Sequence, residues 1–330
     1  MRKELLSHNI LHIKHVSKTK ICVWLFFALH LFSIWAFQHY MIEAVWAKYN
    51  VTPATVICLF ILLFLLPFSL SGKLKIKPQW YSMIFYPSIF IAALLSQEHL
   101  TLLCVTASIV VSGIFVLLVY KLPLPSNRYA ITNVTIYLII IVYYSVFADT
   151  RELTHYKYSI VHYMNIGQYD KALEIGDKSL HIDNEVFNLR TKAMLMTNTI
   201  GDAIFKYPIP ENPNMIQATD DMNTHQKQDV VLCNLLLQKK LNLFVKKLQS
   251  WRDIQSAELP QYYKEALVIY LSKTIDTDII YNDPATQTDY SDFIAEMKKH
   301  SNRQIRSNVC RDLYPDTYFW YYFFFPSVRQ

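Results

Sequence analysis

Residues 54–71 read ATVICLFILLFLLPFSLS, an apolar run that contains no charged side chain. A membrane-spanning helix needs roughly 17 to 25 predominantly apolar residues, so this run is long enough to cross a bilayer. Four more uncharged runs cover residues 21–37, 80–96, 100–120 and 129–148. Their succession predicts about five transmembrane helices within residues 21–149.

The rest of the chain has a different composition. The whole chain of 330 residues is 52% hydrophobic and has only 5 glycines. Residues 151–330, by contrast, are rich in charge and nearly balanced, with 21 Lys and Arg against 22 Asp and Glu. That balance is typical of a water-soluble domain. The sequence therefore predicts an all-α protein with a basic tail at residues 1–20, a transmembrane region at 21–149 and a helical domain at 150–330. No basic patch with interleaved aromatic residues indicates nucleic-acid binding.

The loops between the runs predict the orientation in the membrane. Ten cations fall on one side of the predicted spans and only Lys48 falls on the other. Cation-rich loops stay in the cytoplasm, so we expect a cytoplasmic N-terminus and, after five spans, an extracytoplasmic C-terminal domain. The ten cations are Arg2, Lys3, Lys14, Lys18, Lys20, Lys73, Lys75, Lys77, Lys121 and Arg128.

A repeat-like pattern follows the last apolar run. Residues 167–174 read GQYDKALE, and a second glycine-aspartate pair begins at Gly201, 34 residues after Gly167. This is the period of tetratricopeptide repeats, in which two helices pack as one unit. The stretch resembles one such repeat, with helices near 153–166 and 170–181. It departs from the pattern at Gly176, where the repeat has an aromatic residue, and Pro208 shortens the second copy.

The whole chain resembles uncharacterised bacterial multi-pass membrane proteins that end in an extracytoplasmic, tetratricopeptide-like domain. This resemblance implies a bacterial inner membrane, with the domain in the periplasm, and it implies no known reaction.

Our first functional hypothesis is an anchored scaffold that binds a protein or peptide. The positions that the repeat pattern places on the concave, partner-binding face are Lys157, Val161, Met164, Asn188, Thr191 and Leu195. An alternative is that the next helix covers this face.

A second hypothesis is a membrane enzyme, or a subunit of one, that acts on a lipid-linked glycan at the external surface. Glu43 lies in the first predicted external loop, and Glu98 and His99 form the second. The alternative is that these are solvated loop charges. A transporter ranks third, because no acidic residue lies within a predicted span.

Further patterns concern the C-terminal half. Leu237, Leu241, Phe244, Leu248 and Trp251 recur at helical spacing within 229–252, where the helix either lies on lipid or belongs to the scaffold. Further helices are expected at 261–274 and from 292 to 299, separated by a loop at 276–289.

The aromatic segment 314–325 must dock against the helical domain, the membrane interface or a partner, and docking within the domain is the simplest of these arrangements. Cys233 and Cys310 either form a disulfide or stay free. No metal-binding or phosphate-binding motif occurs, so we expect no cofactor and no metal.

Overall fold

A computed structural model describes most of the chain. The described residues are 2–46, 51–73, 77–97, 105, 106, 108–110, 112–114, 117, 128–179, 181–274 and 279–326; for 2–18, 72 and 73 only the backbone is included. They form two compact units, Met1–Tyr158 and Ser159–Gln330. All regular elements within these ranges are helices, and none of the described residues forms a β-strand, which confirms the all-α class.

Among its described residues, the first unit contains three helices that are long and apolar enough to cross a membrane. The qualifying segments are Thr19–Val45, Pro53–Ser71 and Tyr129–Phe147. They belong to α1 (Arg2–Val45), α2 (Pro53–Lys73) and α4 (Tyr129–Phe147). The N-terminal part of the chain is therefore built to associate with a membrane.

The third predicted span is not one continuous α-helix. A 3₁₀-helix covers Pro78–Phe85, and α3 (Tyr86–Leu95) follows it directly. Pro87 lacks a backbone N–H and so cannot donate to a carbonyl in the preceding turn, which fits the change of helix type at this point. The fourth predicted span, 100–120, lies mostly outside the described residues, so the number five stays a prediction.

The interior of the first unit is aromatic and aliphatic. Phe27 and Phe85 are fully buried with ring centroids 4.5 Å apart, and Ile89 and Ile140 complete the same core. Large apolar side chains also cover the outside of α1, α2 and α4. A surface that faces lipid exposes such side chains, whereas a surface that faces water exposes mainly polar ones. Examples that are more than 60% exposed are Leu29, Phe32, Leu62, Phe68, Ile131 and Val142.

A helical stack makes up the second unit. Helix α5 crosses the boundary between the units, and the remaining helices pack largely on their neighbours in the chain. Helix α11 is central, because it contacts α8, α10, α12 and α14. The helices are α5 (Glu152–Asn165), α6 (Tyr169–Glu174), α7 (Asn184–Met196), α8 (Ile200–Ala203), α9 (Thr224–Leu237), α10 (Leu241–Trp251), α11 (Gln261–Lys273), α12 (Pro284–Lys299), α13 (Arg303–Leu313) and α14 (Tyr318–Phe324).

Several helix boundaries differ from those the sequence predicted. Helix α6 ends at Glu174, not near 181, and Gly176 then takes a positive φ of 63° that favours glycine. The pattern across 229–252 is split between α9 and α10, because Lys239 adopts a left-handed backbone. Helix α12 begins earlier than predicted, since the Asp283 carboxylate accepts the Thr286 N–H and caps it.

The amphipathic α10 packs into the helical domain as one of its structural helices. Leu241, Phe244 and Leu248 are buried in the unit, whereas Lys246 and Lys247 point to solvent. The lipid-surface alternative is not needed to account for this helix.

The aromatic C-terminal segment docks within its own unit, as the simplest arrangement predicted. Tyr318, Phe319 and Tyr321 are buried. The Tyr318 hydroxyl donates to the Leu236 carbonyl at 3.2 Å, and the Tyr321 hydroxyl donates to the Leu237 carbonyl at 2.9 Å. These carbonyls belong to the last turn of α9, where intrahelical N–H donors run out, although the Lys239 N–H also reaches the Leu236 carbonyl at 2.9 Å. Helix α14 therefore closes the end of α9.

Candidate functional site

A cleft of about 400 Å³ runs beside α7 in the second unit. Three of the predicted partner-binding positions, Asn188, Thr191 and Leu195, lie on its α7 wall. They recur at intervals of three and four residues, so they share one helix face. The opposite wall is a segment without helix, turn or bend, from residue 213 to 219. The cleft has the size of a ligand pocket.

The remaining predicted partner-binding positions do not line this cleft. Val161 and Met164 lie on α5, each partly exposed. Lys157 belongs to the first unit, where its ammonium lies 5.4 Å from the centroid of the Tyr158 ring. The structure thus brings together the α7 positions and not those on α5.

Two asparagine side chains hold the wall segment in place. Asn184, at the start of α7, donates to the Asn212 carbonyl at 3.2 Å and accepts the Asn214 N–H at 2.8 Å. Asn234, buried on α9, accepts the Ile216 N–H at 2.9 Å and donates to the Ile216 carbonyl at 2.8 Å. The contacts therefore fall on every second residue, which is the periodicity of a β-strand.

The residues that alternate with these, Met215 and Gln217, have backbone groups that are not held by either asparagine. No hydrogen bond within the described part of the chain involves the backbone N–H or C=O of Met215 or Gln217. The side chains alternate in the same way, because Met215 is 52% exposed whereas Ile216 is 7% exposed. Both of these residues and Gln217 line the cleft. One edge of the segment is therefore bound and the other is open.

Among the described residues that line the cleft, Lys192 is the only charged one, and its side chain is exposed. Beyond the end of the segment, the side chain of Thr219 donates a hydrogen bond to Asp221 and holds the pKa of that carboxyl below its usual range. The lining of the cleft is thus mainly neutral, with Lys192 on its α7 wall and, just beyond the lining, the Asp221 carboxylate, whose pKa the charge of Lys192 also lowers.

A second cleft, of about 420 Å³, lies where α13 and α14 meet the segment after α8. Its walls combine aromatic rings with charges of both signs, including Lys206 and Asp316. The Arg311 guanidinium lies 5.4 Å from the Trp320 ring centroid, within cation–π range. Burial raises the pKa of the Asp316 carboxyl. No predicted site residue lies in this cleft.

Of the three residues in the enzyme hypothesis, Glu43 alone is among the described residues. Glu43 lies in the last turn of α1 and not in a loop, because the helix continues past the apolar run to Val45. Glu98 and His99 lie outside the described residues.

Both cysteines of the predicted alternative disulfide are free, buried thiols. The Cys233 sulfur on α9 lies 3.5 Å from the Tyr263 hydroxyl, and burial raises its pKa to about 12. Cys310 lies on α13, and burial raises its pKa as well. The structure therefore contains the free-thiol form.

The comparison with protein families gives a partial match. A model described as a family of unknown function (DUF6057) matches residues 220–326, from just before α9 to just after α14. Comparison with curated proteins and with solved structures gives no match. The matched part includes Asn234 and Met222 of the cleft region, whereas the α7 wall precedes it.

The sequence reading missed the two asparagines that organise the cleft. Asn234 stands within the apolar run LCNLLL, where a polar side chain facing the core needs hydrogen-bond partners. That signal points to a buried polar contact, but it does not identify the segment that Asn234 holds. Asn184 stands in the first turn of α7, and nothing in the neighbouring sequence identifies the segment that it holds.

Proposed function

We propose that this chain is an integral inner-membrane protein that acts as an anchored scaffold, with a periplasmic helical domain that binds a protein or peptide partner. The observation that carries the proposal is the α7 cleft, whose walls are the α7 face with Asn188, Thr191 and Leu195 and the segment 213–219. A cleft with polar side chains, apolar walls and one cation offers binding groups and no catalytic constellation.

The orientation in this proposal rests on the ten cations of the predicted cytoplasmic loops. The three apolar helices support the anchor. The tetratricopeptide resemblance supports a binding role, since repeats of this kind expose extended concave surfaces to partners.

The test is a selection of random twelve-residue peptides against the full-length chain in lipid nanodiscs. Selected peptides are then measured by fluorescence anisotropy against Asn188→Ala combined with Lys192→Ala, two exposed positions on the cleft wall. We expect affinity to fall at least about tenfold, which corresponds to about 1.4 kcal/mol.

The matched control is Asn242→Ala combined with Lys246→Ala, two exposed positions on α10 outside the cleft. Affinity of this variant should equal that of the unmodified chain. Failure to select any peptide, or equal losses in both variants, contradicts the proposal.

A further inference from the structure

The wall segment of the α7 cleft behaves as a strand with one free edge. Its inner backbone groups, at residues 214 and 216, are bound by the amides of Asn184 and Asn234, and Asn184 also binds the carbonyl of the preceding Asn212. The backbone groups of Met215 and Gln217 are left without a hydrogen bond among the described residues, and both residues line the cleft. An unpaired strand edge is a template for pairing with another extended chain.

This edge lacks the features that normally protect it. Natural edges are blocked by charged residues, especially lysine, by proline, by bulges or by a covering element. Residues 213–219 read PNMIQAT, which has no charge and whose single proline stands at the start. The first acidic residues, Asp220 and Asp221, follow after the segment has ended.

The space in front of the edge has room and suitable walls for a second strand. The cleft of about 400 Å³ lies between the segment, whose lining residues 214–217 include Met215 and Gln217, and the face of α7. A strand directs alternate side chains to opposite faces, so every second residue of a guest strand would face this helix. Asn188 offers it a polar side chain and Lys192 a positive charge, both exposed, whereas Thr191 and Leu195 are each 2% exposed and form the floor behind them.

We propose that the cleft binds its partner as an extended peptide that pairs with the free edge of residues 213–219 and adds a strand to it, with an acidic side chain near Lys192. The inference rests on the proposed function of the same cleft and specifies the conformation of the partner. Recognition is through the backbone at Met215 and Gln217, so affinity depends on peptide N–H groups, while the α7 wall selects side chains.

The experiment uses the full-length chain in nanodiscs and peptides from the random twelve-residue selection. Each peptide is N-methylated at one backbone nitrogen at a time, which removes one donor and adds bulk. We expect methylation at alternate positions to weaken binding at least tenfold, and methylation at the positions between to change it less than threefold. Losses that recur every three or four residues would indicate a helical guest and overturn the inference.

A protein variant gives an independent reading. Met215→Pro removes an N–H that has no partner in the described structure, and it leaves the groups held by Asn184 and Asn234 intact. The matched control, Met215→Ala, removes the side chain and keeps the backbone donor. We expect at least a tenfold loss for proline and less than a threefold loss for alanine.

The outcomes separate the two proposals. If peptides bind through Asn188 and Lys192 but are insensitive to Met215→Pro and to alternate N-methylation, the strand-addition inference fails and the scaffold function stands. If no peptide is selected at all, both fail. If substitution of glutamate in the bound peptide by glutamine leaves affinity unchanged, the acidic preference near Lys192 is overturned.

Discussion

Gly201 shows how a single residue limits helix packing in the second unit. It is buried on α8, and a Cβ atom in its place would lie 2.6 Å from Pro260 Cβ and 2.8 Å from Pro260 Cγ. These atoms belong to a ring next to the start of α11, so neither can rotate away. Close packing of α8 against Pro260 therefore explains why glycine stands at this position of the repeat-like pattern.

We predict that Gly201→Ala destabilises the second unit by about 1–3 kcal/mol, the usual cost of overpacking. Urea-dependent alkylation of the buried Cys233 thiol in the full-length chain measures this. Met196→Ala, at an exposed position on α7, is the control and should leave the midpoint nearly unchanged. Equal midpoints for Gly201→Ala and the unmodified chain would show that α8 and α11 can move apart at little cost.

Glu265 is the buried carboxyl that ties α14 to α11. Its Oε2 accepts the Tyr318 N–H at 2.6 Å, and the Gln261 side chain donates to its Oε1 at 3.0 Å. Burial raises the pKa from 4.5 to about 7. The folded state therefore holds the proton more tightly than the unfolded chain, and the stability from this group is complete below pH 4.5 and is lost as the pH rises through about 7.

We predict that the free energy of unfolding falls by about 3 kcal/mol from this group between pH 4.5 and 8. Glu265→Gln removes the titration and keeps a hydrogen-bond acceptor. Hydrogen exchange of the α11 and α14 amides, corrected for the intrinsic rate at each pH, should show a smaller loss of protection in the variant. Identical pH dependence in both proteins would contradict the assignment.

At the scale of elements, the first unit depends on a polar contact inside an apolar core. Asn133 on α4 is fully buried; it accepts the Ser82 N–H at 2.7 Å and donates to the Pro78 and Tyr129 carbonyls, each at 2.7 Å. The bonds to the Ser82 N–H and the Pro78 carbonyl satisfy backbone groups of the 3₁₀-helix. In a lipid environment such groups need internal partners.

We predict that Asn133→Leu lowers the stability of the first unit by about 1–3 kcal/mol, because the Ser82 N–H loses its partner. Thermal unfolding in one detergent, compared with Leu138→Ala at an exposed position of the same helix, measures the effect. A variant as stable as the control would mean that water or lipid replaces the asparagine.

The helices could be predicted from the sequence where periodicity or apolar length is strong. The spans at 54–71 and 129–148 and the helix at 261–274 lie close to the observed α2, α4 and α11. Where the observed helices differ from the predicted ones, the cause is a local backbone feature that hydrophobic periodicity does not reveal. Lys239 interrupts one helical pattern with a positive φ, and Pro87 accompanies the change from 3₁₀-helix to α-helix.

The candidate site was only partly predictable, because it depends on contacts between distant parts of the chain. Asn188, Thr191 and Leu195 share a face of α7, which the repeat pattern indicated. The opposite wall is an irregular segment whose position is set by Asn184 and Asn234, 50 residues apart in the sequence. No local pattern predicts such a pairing.

At the scale of the whole molecule, the proposal requires the N-terminus and the α7 cleft to lie on opposite sides of the membrane. We predict that an impermeant thiol reagent applied to intact spheroplasts labels Thr219→Cys and does not label Ser7→Cys, in a chain whose native cysteines are replaced by alanine. Ser7→Cys should react only after lysis. The reverse pattern would place the helical domain in the cytoplasm.

The most direct measurement of the central claim is photo-crosslinking in living cells from the α7 cleft of the full-length chain. A photoreactive amino acid at Thr219, which lines the cleft, should yield a polypeptide adduct that Met215→Pro abolishes and Met215→Ala preserves. The same amino acid at the exposed Thr288 on α12 should yield none. Equal adducts at the two positions, or an adduct at Thr219 that persists with Met215→Pro, would contradict a peptide-binding cleft that uses the free edge.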